Sequence, residues 1–229
     1  MQDKLTPRQS RAWGLCALSV PAAMALAGRG WLWVLAGSAA ASGIVLFLQT
    51  LQRRSGQSLP EQMARAFGRR SGRLLGAAVC LWLLLAASGA AAASQIAFED
   101  DLGPLAPAVP LLLAALASRK GQAAAARVSG VLALCLALLY SIIALASLRH
   151  VQAAWCRPWG SAADAGLSLC LCLTPACLLF LDGDGQTPRP GWSALAAAVL
   201  PGVAALLCSA CLSPAWTAQL PQPLYTLTK

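Results

Sequence analysis

Charge is scarce in this sequence. Only 11% of its 229 residues are Asp, Glu, Lys or Arg, against about 25% in a typical soluble domain. One histidine, His150, and eight acidic residues leave little for metal or acid–base chemistry. No Walker loop, dinucleotide fingerprint or nucleophile elbow is present, and the Gly-Asp-Gly turn at 183–185 is too short to cradle a phosphate. The long apolar runs contain no charged residue. A proton-coupled pump therefore has no obvious carrier carboxylate. The acid, base and metal ligands of a membrane-embedded enzyme are missing as well. These absences point away from an enzyme, and no cofactor or metal is expected.

Apolar residues are abundant instead: 58% of the chain, with a mean hydropathy of +0.65. One core of this length cannot hide so much apolar side chain from water. The expected class is all-α, a polytopic membrane protein in a single integral domain, 1–229, with membrane lipid as its surroundings. Seven apolar runs are expected as transmembrane helices, at about 12–28, 31–51, 74–94, 105–117, 128–148, 165–181 and 192–212. The fourth is short and proline-rich, below the roughly 17–25 residues of a full span. The end of the first run, Ala25-Leu26-Ala27, has the small residues of a signal-peptidase site, so cleavage there is an alternative. Trp31 and Trp33 suit an interfacial anchor.

The net charge of +9 could suggest nucleic acid, but the basic residues sit in short gaps between apolar runs, where topology accounts for them. The densest gap, 52–73, carries Arg53, Arg54, Arg65, Arg69, Arg70 and Arg73 against one acid, Glu61. With seven spans and a cytoplasmic N-terminus, thirteen of the seventeen Lys and Arg lie inside, leaving Arg29, Arg149, Arg157 and Lys229 outside. If the fourth run does not span, the split is twelve to five. Charge thus orients the N-terminus and leaves the fourth run open. Within 52–73, Ser58-Leu59-Pro60-Glu61 reads as the start of a short surface helix, with proline in the first turn and an acid near the positive end.

Eight of the nine cysteines lie in apolar runs (Cys16, Cys80, Cys135, Cys170, Cys172, Cys177, Cys208 and Cys211), and only Cys156 lies in a loop. Cys170-x-Cys172 and Cys208-x-x-Cys211 have ligand-like spacing but no histidine or acid beside them, so they read as small hydrophobes.

Two prolines interrupt apolar runs behind a small hydroxyl residue: Pro21 in Ser19-Val20-Pro21-Ala22 and Pro175 in Thr174-Pro175. Each leaves a backbone carbonyl unpaired. Breaks in the first and sixth helices fit a five-plus-five inverted repeat with a ligand site at the bilayer midplane. An ordinary proline kink, re-satisfied by neighbouring helices, is the other reading.

Four stretches, in order, resemble the spore germination permeases, the B subunits of GerA-type germinant receptors. They are Lys4-Leu5-Thr6-Pro7-Arg8-Gln9; Gly56-Gln57-Ser58-Leu59-Pro60-Glu61 with Phe67-Gly68-Arg69 and Gly72-Arg73-Leu74-Leu75-Gly76; Ser118-Arg119-Lys120-Gly121 with Ala126-Arg127; and 220–224. The resemblance implies the amino acid–polyamine–organocation fold, a cell membrane or spore inner membrane location, and A and C receptor subunits as partners. It implies a small-molecule germinant, typically an amino acid, held by helices 1 and 6, where Ser19, Pro21, Ala22, Thr174 and Pro175 match by position. It also implies ten helices, whereas seven apolar runs are present here. The chain then reads as a shortened, degenerate or partner-completed member, or as a non-binding membrane partner subunit with a structural role only.

Overall fold

The computed structural model describes residues 26–55, 59–103, 108–119, 122–174, 192–220 and 223–227. Among them the chain is all-helical. The helices are α1 (Trp31–Ser55), α2 (Leu59–Leu102), α3 (Ala108–Arg119), α4 (Gln122–Ser147), α5 (Ala162–Cys172), α6 (Trp192–Leu212), α7 (Pro214–Gln219) and α8 (Pro223–Thr226). Among the described residues, three stretches are long and apolar enough to cross a membrane: Trp31–Gln52, Arg70–Gly89 and Arg127–His150. At 22, 20 and 24 residues and about 1.5 Å rise per residue, each reaches the roughly 30 Å of a bilayer's hydrocarbon.

The best-packed part is the trio α1, α5 and α6. Leu26, Val34, Ala41, Cys172 and Ala205 form one buried cluster. The face of α1 that packs there is built from small residues, with Gly37, Ser38, Ala41 and Ser42 buried. Small side chains let helix backbones approach closely, which matters most where lipid removes the hydrophobic drive between helices. Gly37 is the tightest point. A Cβ there would fall on the Ala165 carbonyl oxygen and lie 2.8 Å from Ser168 Cβ. One turn away the Ser168 hydroxyl donates to the Val34 carbonyl at 2.8 Å, tying α5 to α1. The helices α1 and α5 run parallel, since Gly30 meets Trp159 and Gly37 meets Ala165 and Ser168.

The longest helix, α2, is bent. An ideal Cβ on Gly72 would lie 3.2 Å from Ala64 Cα, whereas residues eight apart in a straight helix are separated by about 12 Å. The fold-back occurs at Gly68, whose φ of 85° lies in the left-handed region, open to glycine at little cost. The segment 59–67 is therefore a short helix laid against the start of the long one. This is the surface helix read at Ser58–Glu61, and Glu61 sits in its first turn.

Beyond the bend, α2 and α4 stand apart from the trio. No residue of the Arg70–Gly89 span is buried. Leu81, Leu84 and Leu85 on α2, and Leu134, Leu138, Ile142 and Leu145 on α4, are all more than half exposed. The leucines on α2 lie at i, i+3 and i+4, and the apolar residues on α4 at i, i+4, i+8 and i+11, so each set marks one outward face. Behind that face no residue of the Arg70–Gly89 span is buried, and the α4 span is nearly as open. Polar ties join them to the trio: Trp82 Nε1 to Thr174 Oγ1 at 3.4 Å, and Cys211 Sγ to the Ser147 carbonyl at 3.5 Å.

Candidate functional site

Several polar contacts of the described residues gather at one end of the trio, where the turn before α1, the loop before α5 and the segment after α6 meet. Ser161-x-x-Asp164 is a helix-start pattern, and α5 begins at Ala162, ahead of the Ala165 expected from hydropathy alone. The earlier start takes Asp164 into the first turn. Its Oδ2 accepts the Ser161 backbone N–H at 3.0 Å, a favourable place for an anion near the helix's positive end. Asp164 is buried, and its Oδ1 faces Arg29 Nη1 at 3.5 Å. The Arg29 side chain keeps 53% of its surface exposed.

Two glycines allow this approach. A Cβ on Gly30 would run into the Trp159 carbonyl. Gly160 has φ 95°, and a Cβ there would sit 2.5 Å from Asp164 Oδ2 and 2.9 Å from Gly30 Cα. A side chain at either position would push the Arg29 turn away from Asp164. Further contacts hold the loop in place. Trp31 Nε1 donates to the Cys156 carbonyl at 3.1 Å, and the Gln152 N–H donates to the Ala210 carbonyl at the end of α6 at 3.0 Å. Ser213 caps α7 through the Trp216 N–H, and Thr217 is buried with its hydroxyl on the Cys208 carbonyl.

Between these parts lies a cleft of about 550 Å³. Arg29, Trp159, Ser161 and Asp164 line one side, and Gln219, Leu220 and Pro223 line the other. The Trp159 indole N–H is buried and has no hydrogen-bond acceptor among the described residues.

No protein-family model, curated protein or solved structure matches this chain. The site is therefore read from its own chemistry.

Of the residues expected from sequence to hold a ligand, Ser19, Pro21, Ala22 and Pro175 lie outside the described residues. Thr174 stands just past the end of α5, which closes at Cys172 with Leu173 as its cap. Its hydroxyl donates to the Leu171 carbonyl at 2.8 Å and receives the Trp82 N–H. Thr174 thus meets the apolar α2, well away from the polar cleft. The cysteines Cys80, Cys135, Cys156, Cys170, Cys172, Cys208 and Cys211 are free thiols. No group of three His, Cys, Asp or Glu is positioned to hold a metal among the described residues. The Arg29–Asp164 pair was the feature hardest to find in sequence. Its only local signal is the Ser161-x-x-Asp164 cap, because the partner lies far away in the chain.

Proposed function

We propose that this chain is an integral membrane protein of seven crossings, with a cytoplasmic N-terminus, that binds or passes a small polar solute such as an amino acid. One observation carries the membrane part. The spans in α2 and α4 have bilayer length and present a wide apolar face to the outside with little or nothing buried behind it, a surface that lipid stabilises and water does not. The solute part rests on the motif order shared with the spore germination permeases and on the Ser19–Pro21 and Thr174–Pro175 breaks. On that reading the protein works beside A and C receptor subunits in a cell or spore inner membrane.

The test is fractionation followed by ligand titration. The full chain should stay in the membrane pellet through alkaline carbonate, and the purified protein should gain thermal stability with at least one amino acid, alone or with A and C subunits. Release into the supernatant removes the membrane reading. Retention without stabilisation by any amino acid removes the solute role and favours a second reading, a structural partner subunit. The exposed surfaces of α2 and α4 are also what a helix of another subunit would cover.

A further inference from the structure

We infer that the fold-back at Gly68 is a docking surface for anionic phospholipid headgroups, with its arginines gathered on the phosphates and Phe67 dipping beneath them. This rests on the membrane reading above and goes beyond it. Basic charge alone says which face of the bilayer a segment keeps to; the fold-back says where it lies and what it touches. Chain position sets the depth. The α1 span ends at Gln52 and the α2 span begins at Arg70, so the fold-back stands at the membrane face where α1 ends, at the level of the headgroups. The reversal at Gly68 lays 59–67 against the start of the span, with Ala64 on Gly72.

The charge there is one-sided. Arg65 neighbours Ala64 and Arg73 neighbours Gly72, so the contact between those two small residues gathers arginines that a straight helix would hold about 12 Å apart. Arg65, Arg70 and Arg73 are exposed, as is Arg54 near the end of α1. None of these four is in an ion pair among the described residues, and the one acid in 52–73 is Glu61. Like charges brought together repel, and an anion shared between them offsets that cost. A guanidinium takes phosphate oxygens two at a time. The apolar side chains beside the arginines select the source of the phosphate. Phe67, at the tip, is 70% exposed, and Leu74 is 74% exposed. A free phosphate would leave both in water. A lipid surface meets both needs, with phosphate at the arginine heads and acyl chain along the stems and under the ring.

The experiment floats the full-length protein with phosphatidylcholine vesicles that carry a trace of spin-labelled phosphatidylglycerol or spin-labelled phosphatidylcholine. It compares how strongly the protein restricts the motion of each probe. Phosphatidylglycerol should be preferred about fivefold, the factor one arginine gains at an anionic surface, and salt at about 1 M should remove most of that preference. Arg65→Gln/Arg73→Gln should bring the ratio close to one, whereas Arg65→Lys/Arg73→Lys, which keeps the charge, should retain most of it. Arg149→Gln/Arg157→Gln removes the same charge from exposed residues at the other membrane face of the proposed topology and should leave the ratio unchanged. Equal association of the two lipids with wild-type protein that still floats overturns the docking surface and leaves the membrane reading standing. So does a preference that survives Arg65→Gln/Arg73→Gln, or one that falls as far in Arg149→Gln/Arg157→Gln. Loss of the preference in Arg65→Lys/Arg73→Lys together with a lower melting temperature would make the arginines structural, which also overturns it. A protein that does not float with the vesicles removes the membrane reading and the docking surface together.

Discussion

Placing one added methyl group at two positions of α1 gives opposite expected outcomes. At Gly37 the new Cβ would land on the Ala165 carbonyl oxygen and 3.0 Å from Ala165 carbon. Both are backbone atoms of α5, so no side-chain rotation relieves the clash and α5 must move outward. Overpacking of this kind costs about 1–3 kcal/mol. The displacement also stretches the Ser168–Val34 bond, an interhelical contact worth about 0.6–1.7 kcal/mol. Alanine returns about 0.8–1 kcal/mol of helix propensity. The net expectation for Gly37→Ala is a loss of about 1–4 kcal/mol, or roughly 2–16 °C in melting temperature for a chain of this size. At Gly43 a Cβ meets nothing within 4 Å, so Gly43→Ala should gain up to about 1 kcal/mol from propensity alone. Thermal unfolding of both variants in one detergent decides it. A Gly37→Ala protein as stable as Gly43→Ala would mean that α1 and α5 do not pack through Gly37, and the trio would have to be rebuilt.

Asp164→Asn keeps the size of the side chain and removes its charge. With Arg29 half exposed to solvent, the pair should contribute only about 1 kcal/mol. A double-mutant cycle with Arg29→Gln should return a coupling of about 0.5–1 kcal/mol, and zero coupling would dissolve the pair. Gly68→Ala puts a Cβ on a left-handed residue, costing about 1–2 kcal/mol unless the fold-back opens. Spin labels at residues 61 and 73 should lie much closer in the wild type than the roughly 18 Å of a straight helix, and should move toward that distance in the variant. An unchanged distance with unchanged stability would count against the bend.

The helix boundaries were readable where local chemistry sets them. Trp31 begins α1 as the hydropathy pattern has it, and the helix runs past the expected end at Leu51 to Ser55, a stretch with no glycine or proline in it. The surface helix at 59–67 was visible in its proline and glutamate. Its sharp reversal at Gly68 was not, since a single glycine weakens a helix without by itself ending or reversing it. The alternative roles of Cys208-x-x-Cys211 came down to their surroundings: Cys208 is buried in the trio and Cys211 points to the Ser147 carbonyl. The cleft was least legible. Arg29 read as one of few outer charges, and Asp164 fell just before the run expected from about 165, because nothing local in a sequence shows that two residues so far apart in the chain face each other.

That pairing also bears on how the chain threads a bilayer. Two groups in contact at the polar end of a bundle share one face of the membrane, so the number of crossings between them is even. Between Arg29 and Asp164 the chain contains α1, α2, α3 and α4. If the three bilayer-length helices cross as proposed, three passages alone would leave the arginine and the aspartate on opposite faces. Parity then makes α3 the fourth passage, a choice that counting basic residues could not make. Its 12 residues rise only about 18 Å. A helix that short is accommodated by thinning the bilayer around it or by sheltering against neighbouring protein. On the proposed topology, the ion pair at one end of the fold thus calls for a thinned bilayer or a protein shelter beside α3.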